Sequence, residues 1–394
     1  MSALTLKPGR ERSLLRRHPW IFSGAVQRVE GEPAPGETVE VFSSEKQFLA
    51  RAAYSPASQI RARVWTFEEE PVDEQLFRKR IRSSIESRRG WGLRRETDSY
   101  RLVYAESDSL PGLIVDRYGD VLVLQSLTAG SEAWKATFAD LLLEETGLST
   151  LFERSDADVR GLEGLEPQVG FIRGSLPQLP VTIHEHNLIF NVNFAAGHKT
   201  GFYLDQRRNR LRVRELSEGK EVLDCFCYTG GFSINALSGG AASVLSVDSS
   251  ADALEILKDN VSLNQLPQDR HSTLEGDVFQ VLRKFRDEGR SFDMIILDPP
   301  KFAPTAAQAE KAARGYKDIN LLAFKLLRPG GLLVTFSCSG GVNAGLFQKI
   351  VAGAALDAGI EAQIVEHLSQ AADHPIALNF PEGSYLKGLI CLRL

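Results

Sequence analysis

Residues 221–231 read EVLDCFCYTGG, and this stretch decides the fold of the segment around it. The apolar run EVLDCFC passes directly into YTGG, and the helix-like segment FSINALSGG follows. Gly230 and Gly231 stand between strand and helix, where glycine lets a ligand come close to the backbone. The stretch therefore predicts a strand, a ligand-binding loop and a helix in direct succession.

The same rhythm continues toward the C-terminus. Strand-like SVLSVDSS, FDMIILDPP and GGLLVTFSCS alternate with helix-like ADALEILKDNVSLN and GYKDINLLAFKLL. Apolar strands that alternate with amphipathic helices predict a parallel sheet covered on both faces. Ligands bind such sheets outside the carboxyl ends of the strands. We therefore expect four residues to share one rim of the sheet: Asp224, Asp248, Asp298 and Cys338.

Two other segments precede this one, and 394 residues are enough for two or three domains. Residues 1–70 contain short β-type runs around EGEPAPGE, which predicts a small all-β module. Residues 73–180 join a charged helical stretch to LIVDRYGDVLVLQS, where Gly119-Asp120 predicts a hairpin turn. They are expected to form a small α+β domain, and residues 186–394 the third, α/β domain.

Composition and termini narrow the class of protein. The chain is 43% hydrophobic and 25% charged and has no run of about 18 apolar residues, so we expect no membrane span. Its start, MSALTLKPGRERSLLRRHPW, is unlike a signal peptide. The four cysteines form no CxxC pair and are expected to be reduced thiols in the cytoplasm. No metal site is expected, because His184 and His186 have no further ligand cluster nearby.

Positive charge is unevenly distributed on this mildly acidic chain, whose net charge is −5. Arginine and lysine concentrate in residues 1–20, 76–101 and 207–214. Clustered positive charge of this kind is compatible with docking a polyanion at defined places. The alternative is that the clusters are solvated helix faces.

Two acidic residues indicate the kind of cofactor. Asp248 ends the strand after the glycine loop, where an acid suits the hydroxyl pair of a ribose. Asp277, in EGDVF, follows a third predicted strand and could accept from an exocyclic amine. Neither GxGxxG nor GxxxxGK[ST] occurs, which weighs against a dinucleotide or a P-loop nucleotide. The residues indicate a nucleoside-bearing cofactor without naming it.

The motifs LDCFCYTGGF, SVDSS, EGDVF and LDPPKF resemble the successive motifs of class I S-adenosylmethionine methyltransferases. With RRHPWIFSGAV, ESDSLPGLIVDRYG, GHKTGFYLDQRRNR and TFSCSG, the whole chain resembles the ribosomal RNA large subunit methyltransferase I family. Members of that family make 5-methylcytidine in 23S ribosomal RNA. The resemblance implies an α/β multidomain protein with an N-terminal PUA-like RNA-binding β-barrel, a small central α+β domain and a C-terminal Rossmann-like catalytic domain.

The resemblance also implies a homodimer, S-adenosylmethionine as cofactor, and 23S ribosomal RNA as partner, either naked or in an assembling large subunit. Cofactor binding would fall to the glycine loop, the rim and the motif upstream of them: Lys199, Phe202, Asp205, Gln206, Asp224, Phe226, Tyr228, Thr229, Gly230, Asp248, Asp277 and Asp298. RNA contacts are expected from the basic clusters, at Arg10, Arg16, Arg17 and Arg207.

For cytosine-C5 chemistry the expected catalytic residues are Cys338 and Asp298. Cys338 would add to carbon 6 of the base, and Asp298 would hold the N3 and N4 edge. The base that removes the C5 proton is not assigned. Two alternatives stay open: a guanine-N2 RNA methyltransferase, which needs no cysteine at this position, and a non-catalytic RNA-binding ribosome assembly factor. A third interpretation concerns Cys338 alone, as a small buried residue at the end of a strand.

Overall fold

A computed structural model describes residues 2–175, 179–197, 199–302 and 309–394, and His198 of the GHKTG motif lies outside them. The chain divides into two compact units. The first consists of Met1–Glu185, Val192–Leu204 and Ala372–Gly383, and the second of His186–Asn191, Asp205–Ala371 and Ser384–Leu394. Two short segments from within residues 186–394 thus belong to the first unit. The division into three domains stays a prediction.

The first unit opens with a six-stranded sheet. Its elements are β1 (Ala3–Leu6), α1 (Arg12–Leu15), β2 (Trp20–Phe22), β3 (Val26–Glu30), β4 (Thr38–Phe42), β5 (Phe48–Tyr54) and β6 (Ile60–Thr66). The strand order is β2-β6-β5-β4-β1-β3. Strand β1 runs antiparallel to β3 and parallel to β4. Alternate side chains of β4, such as Val39 and Val41, are fully buried, because every second residue of a strand faces the covered side of the sheet.

A second sheet follows in the same unit. Its elements are α2 (Glu74–Gly90), β7 (Ser99–Tyr104), β8 (Leu113–Tyr118), β9 (Val121–Ser126), α3 (Ala129–Ala133), α4 (Lys135–Thr146), β10 (Thr150–Ser155), α5 (Val159–Leu162), β11 (Gln168–Arg173) and β12 (Val181–Glu185). Five of these strands form the second sheet, in the order β11-β10-β9-β8-β7, and β12 lies outside it. Tyr118 pairs with Val121 across the β8–β9 turn, and Gly119 has φ +57°. The hairpin predicted at Gly119-Asp120 is confirmed.

The two sheets of the first unit share buried side chains. Trp65, from β6, packs in the core of the second sheet, with its ring 5.0 Å from that of Phe77. Glu163 is buried, pairs with Arg63 of β6 at 2.8 Å, and accepts a hydrogen bond from Ser55. Truncating the chain near residue 70 would therefore open this shared core as well as remove the first sheet.

The second unit contains the strand–helix alternation. Its elements are β13 (Leu188–Val192, whose last residue belongs to the first unit), α6 (Arg207–Leu216), β14 (Glu221–Cys225), α7 (Gly231–Ser238), β15 (Ser243–Asp248), α8 (Ala251–Leu263), β16 (His271–Glu275), α9 (Val278–Asp287), β17 (Phe292–Leu297), α10 (Ala309–Leu326), β18 (Leu327–Ser337), α11 (Ala344–Ala358), β19 (Ala362–Ser369) and β20 (Lys387–Arg393).

The seven-stranded sheet of this unit has the order β16-β15-β14-β17-β18-β20-β19. The five strands from β16 to β18 are parallel, as the alternation predicts. Strand β20 instead pairs antiparallel with both β18 and β19. The start of β20 consequently lies beside the end of β18, so the last strand delivers residues to the rim that the parallel strands form.

Helices α9, α10 and α11 bury one face of the sheet. Phe285, Tyr316 and Phe347, one from each helix, join the same apolar core as Leu223 and Ile295 of the strands. Burial of this kind contributes about 25 cal/mol per Å² of apolar surface and dominates the stability of the unit. Within the described ranges, no helix combines the length and the apolar character needed to cross a membrane.

Candidate active site

The glycine loop joins β14 to α7 in a strained conformation. Phe226 and Tyr228 have φ values of +62° and +50°, and Gly230 has +84°. Non-glycine residues with such left-handed backbones cost about 1–3 kcal/mol each and cluster at functional sites. A Cβ on Gly230 would lie 2.4 Å from Cγ of Leu257, so no larger residue fits there. The loop is thus held in a shape that the chain alone does not favour.

Asp248 secures this loop to the next strand. Its Oδ2 accepts from the Tyr228 N–H at 2.8 Å, and its Oδ1 accepts from the Ser250 N–H at 3.0 Å. Ser250 in turn caps α8 through the Ala253 N–H. The carboxylate expected at the end of β15 therefore lies at the rim and fixes two backbone segments there.

Asp224 is an acid of the rim whose pKa is shifted by burial. It is fully buried, and burial raises its pKa to about 7; the hydrogen bond from Ser233 lowers the value, and the charge of Asp298 raises it. Oδ2 accepts from Ser233 Oγ at 2.6 Å. Ser233 continues through Ser246 to Nε2 of His271, at 2.6 and 3.0 Å. A hydrogen-bonded chain thus runs from the rim across β14, β15 and β16.

Cys338 and Asp298 follow the ends of adjacent strands. Leu297 pairs with Thr335 between β17 and β18, so the residues after these strands leave the sheet side by side. Sγ of Cys338 lies 4.0 Å from the carbonyl oxygen of Pro299. The predicted pair therefore shares one edge of the sheet.

Exposure separates Cys338 from the other thiols. Cys338 is half-buried, whereas Cys225, Cys227 and Cys391 are buried. Burial raises the pKa of Cys391 to about 12 and holds those of Cys225 and Cys227 well above the ordinary value. Since the thiolate is the nucleophile, only Cys338 of the four combines access with a place on the rim.

Lys387 is a residue that the sequence did not single out. It opens β20 and pairs with Ser337 of β18. Its Nζ donates to the carbonyl oxygens of Ser339 and Tyr385 at 2.8 and 2.6 Å. Burial lowers the pKa of Lys387 to about 8; Cys338 raises the value and Lys301 lowers it. The only signal in the sequence was a lone lysine at the head of the apolar run KGLICLRL.

Asp277 and the motif upstream of the glycine loop have structural partners. Asp277 caps α9 by accepting from the Gln280 N–H at 3.0 Å. Asp205 is buried, accepts from the Tyr385 hydroxyl and, through its backbone carbonyl, from the Ala371 N–H at 2.9 Å. Gln206 is also buried. Roles of these three residues toward the cofactor stay predictions.

Lys199 and Phe202 belong to the first unit. Phe202 is buried, and its N–H donates to the Tyr118 hydroxyl at 3.1 Å. Lys199 is exposed, with Nζ 4.3 Å from the centroid of the Tyr203 ring. Their part in cofactor binding likewise stays a prediction.

The basic clusters divide into exposed and internal arginines. Arg10, Arg16 and Arg17 are exposed, and Arg17 pairs with Glu68 at 2.8 Å. Arg207, predicted as an RNA contact, is fully buried at the start of α6. A buried guanidinium offers no surface to a phosphate in this structure, and a role of Arg207 toward RNA stays a prediction. In the second cluster, Arg88 and Arg101 are likewise buried and paired with Asp108 and Asp116.

Among the residues that the structure describes, no group of three or more His, Cys, Asp and Glu side chains is placed to hold a metal ion. The rim instead offers buried oxygens. Within the described part of the chain, Oδ1 of Asp224 and Oγ1 of Thr229 are buried without a hydrogen-bond partner. Since buried polar groups are normally satisfied, these two atoms indicate a polar ligand.

Comparisons with known proteins agree with this geometry. Residues 4–67 match a family model described as a PUA-like domain, and residues 173–376 match one described as an S-adenosylmethionine-dependent methyltransferase. A relative from Shewanella amazonensis, named ribosomal RNA large subunit methyltransferase I, is 52% identical over 98% of both chains. One of the same name from Aeromonas hydrophila is 53% identical over 99% of this chain and 98% of its own.

Solved structures share the fold across the whole chain. A candidate SAM-dependent methyltransferase from Streptococcus mutans superposes with a TM-score of 0.86 at 20% identity, covering 100% of both chains. A candidate methyltransferase complexed with SAH gives 0.87 at 21% identity, again over 100% of both chains.

The cofactor of the family is S-adenosylmethionine, and the residues present fit it. The unpartnered oxygens of Asp224 and Thr229 match the ammonium and hydroxyl groups that this cofactor carries. Asp224, Thr229, Gly230 and Asp248 are the residues that would hold it. From its family models and its full-length relatives, this chain belongs to the ribosomal RNA large subunit methyltransferase I family of S-adenosylmethionine-dependent methyltransferases.

Proposed function

We propose that this protein methylates carbon 5 of one cytidine in 23S ribosomal RNA through a covalent adduct with Cys338. One observation carries the proposal. The single half-buried thiol of the chain lies at the carboxyl edge of the sheet, with Sγ 4.0 Å from the carbonyl oxygen of Pro299, next to Asp298. The names of relatives about half identical to this chain support large-subunit ribosomal RNA as the substrate.

Carbon 5 of cytosine is a poor nucleophile until another group adds to carbon 6. The Cys338 thiolate forms the Sγ–C6 bond, and the electron pair of the C5–C6 double bond becomes available at carbon 5. When bound, S-adenosylmethionine supplies the methyl group as an electrophile. Loss of the C5 proton to a base then restores the double bond, and the Sγ–C6 electron pair returns to sulfur as thiolate.

Asp298 has the chemistry to bind the base edge. A protonated carboxyl group donates to N3 of cytosine while its other oxygen accepts from the N4 amine. Transfer of that proton to N3 offsets the charge that develops when sulfur adds to carbon 6. Pro299 and Pro300 directly follow Asp298, and their fixed φ angles limit the motion of the segment that presents it. Asp298 is half-buried, so a base can reach it.

RNA binding is assigned to the PUA-like segment and its exposed arginines. Phosphate contacts from these cations add affinity without reading sequence. They help to offset the cost of splaying the target base out of its stack, about a few kcal/mol. A target in single-stranded or loop RNA lowers that cost. Because its proposed substrate is ribosomal RNA, the proposed location of the protein is the cytoplasm. The homodimer implied by the family resemblance stays a prediction.

The test is to map modified nucleotides in large-subunit ribosomal RNA from a strain that lacks this protein. We expect one 5-methylcytidine to disappear, to return with the wild-type chain, and to stay absent with Cys338→Ala. Cys391→Ala serves as the matched control, because Cys391 is buried in the apolar core and lies outside the glycine loop. Loss of an N2-methylguanosine instead would support the guanine alternative. Unchanged modification, or full restoration by Cys338→Ala, would contradict the proposal.

A further inference from the structure

Lys387 reaches the rim from the antiparallel strand β20. It pairs with Ser337, the residue before Cys338, and its Nζ donates to the carbonyl of Ser339, the residue after Cys338, at 2.8 Å. Lys387 therefore contacts the chain on both sides of Cys338, through its backbone before the cysteine and through its ammonium after it. A second bond, to the Tyr385 carbonyl at 2.6 Å, fixes the side chain from its own strand.

Among the described residues, no carboxylate pairs with this ammonium. Its two hydrogen-bond acceptors are neutral carbonyl oxygens. Removing a charged lysine from water without supplying a counter-ion costs free energy, and this favours the neutral form of the side chain. The low pKa of Lys387, about 8, follows from this burial.

Charged and titratable groups near Lys387 come from three different elements. Lys301, after β17, repels the ammonium, and Cys338, after β18, attracts it when ionised. Tyr316 of α10 exchanges a hydrogen bond with the hydroxyl of Ser339 at 2.9 Å, and burial raises its pKa, so it stays neutral. The Cys338 thiolate is therefore an anion that attracts Lys387 and can balance its charge.

We propose that Lys387 is a positioning residue whose ammonium holds Cys338 as a thiolate before RNA binds. This inference rests on the proposed function, because addition to carbon 6 requires Cys338 to be ionised before the base arrives. Loss of the Sγ proton to solvent leaves a negative charge opposite the ammonium, and two backbone carbonyls keep Lys387 in place. The same ammonium stabilises the thiolate again when the Sγ–C6 bond breaks.

The experiment measures the rate of alkylation of Cys338 by iodoacetamide between pH 5.5 and 9.5, with the modified peptide identified by mass spectrometry. The full chain is used without RNA, so the result does not depend on which base is methylated. The three other cysteines are buried and serve as an internal measure of intactness. The variants are Lys387→Met, which removes the charge, and Lys387→Arg, which keeps it.

We expect the wild-type pH midpoint to lie below that of a free thiol, about 8.5. Lys387→Met should raise the midpoint by about one unit or more, which slows alkylation at pH 7 about tenfold. Lys387→Arg should keep a midpoint near that of the wild type. As a matched control, Lys258→Met removes an exposed lysine that pairs with Glu255, and it should leave the midpoint unchanged.

Equal midpoints for the wild type and Lys387→Met would overturn the proposal, as would an equal shift in Lys258→Met. If Lys387→Met does not fold, the wild-type midpoint still decides: a value of about 8.5 or above overturns the proposal. A low midpoint together with no methylation of cytidine would leave the thiolate pair intact and refute the proposed function alone.

Discussion

The buried carboxyl of Asp224 makes the stability of the second unit depend on pH. Its pKa is about 7, because burial raises it far above the ordinary value of 3.8. The folded chain therefore keeps the proton at a pH where the unfolded chain has already lost it. Wild-type stability should fall as the pH rises from about 4 to about 7, and Asp224→Asn, which is isosteric and cannot ionise, should escape that loss.

The size of the effect follows from the two values. One pKa unit corresponds to about 1.4 kcal/mol, so the difference between 3.8 and about 7 limits the destabilisation to about 4 kcal/mol at pH 8. At pH 5 the same linkage gives about 1.7 kcal/mol. The advantage of Asp224→Asn over the wild type should thus grow by about 3 kcal/mol between pH 5 and pH 8.

Thermal unfolding at both pH values, followed in the transition of the second unit, measures this. At about 2–4 °C per kcal/mol, the gap in Tm should widen by roughly 6–12 °C from pH 5 to pH 8. Asp293→Asn is the matched control. Burial raises the pKa of Asp293, but the Glu221 N–H and Arg328 outweigh this and lower it, so the group stays ionised over the range. The difference in Tm between Asp293→Asn and the wild type should be the same at pH 5 and at pH 8. A constant gap for Asp224→Asn would refute the reasoning.

Three further substitutions test other parts of the structure. Gly230→Ala should lower the free energy of unfolding by about 2 kcal/mol more than Gly240→Ala in denaturant titrations. Both glycines have φ +84°, but only the first would bring a Cβ against Leu257, so equal losses would contradict the clash. Tyr385→Phe removes the hydroxyl donor to buried Asp205 and should cost about 1–3 kcal/mol, measured in the same way; an unchanged midpoint would show that this bond contributes nothing. Alanine at the exposed arginines should reduce the slope of log binding constant against log salt by about 0.7 per lost contact to single-stranded RNA. These arginines are Arg10, Arg16 and Arg17. An unaltered slope would show that they do not contact RNA.

Local patterns predicted the elements that lie close together in sequence. Gly119-Asp120 marked a hairpin because its two strands are adjacent and the turn needs a positive φ. The apolar run before TFSCSG marked a strand, and the parallel alternation placed its end on the rim. The sequence alone therefore predicts that Cys338 lies at the edge that holds Asp298.

Residues that depend on distant parts of the chain could not be predicted in this way. Lys387 lies 49 positions after Cys338, and only the antiparallel pairing of β20 brings it beside β18. Arg207 looked like one more cation in a basic run, yet it is buried, because periodicity does not show which face of α6 is covered. Asp277 carries the spacing of a cofactor ligand and also that of a helix cap, and sequence alone does not separate the two roles.

The covalent step at Cys338 is tested most directly by trapping. The full chain would be incubated with S-adenosylmethionine and large-subunit ribosomal RNA that carries 5-fluorocytidine, whose fluorine blocks removal of the C5 substituent. We predict a protein–RNA complex that survives denaturing electrophoresis and that mass spectrometry locates at Cys338. Cys338→Ala should abolish it and Cys391→Ala, at a buried cysteine outside the glycine loop, should not. The absence of any trapped complex, or a complex that persists in Cys338→Ala, would contradict a Cys338 adduct.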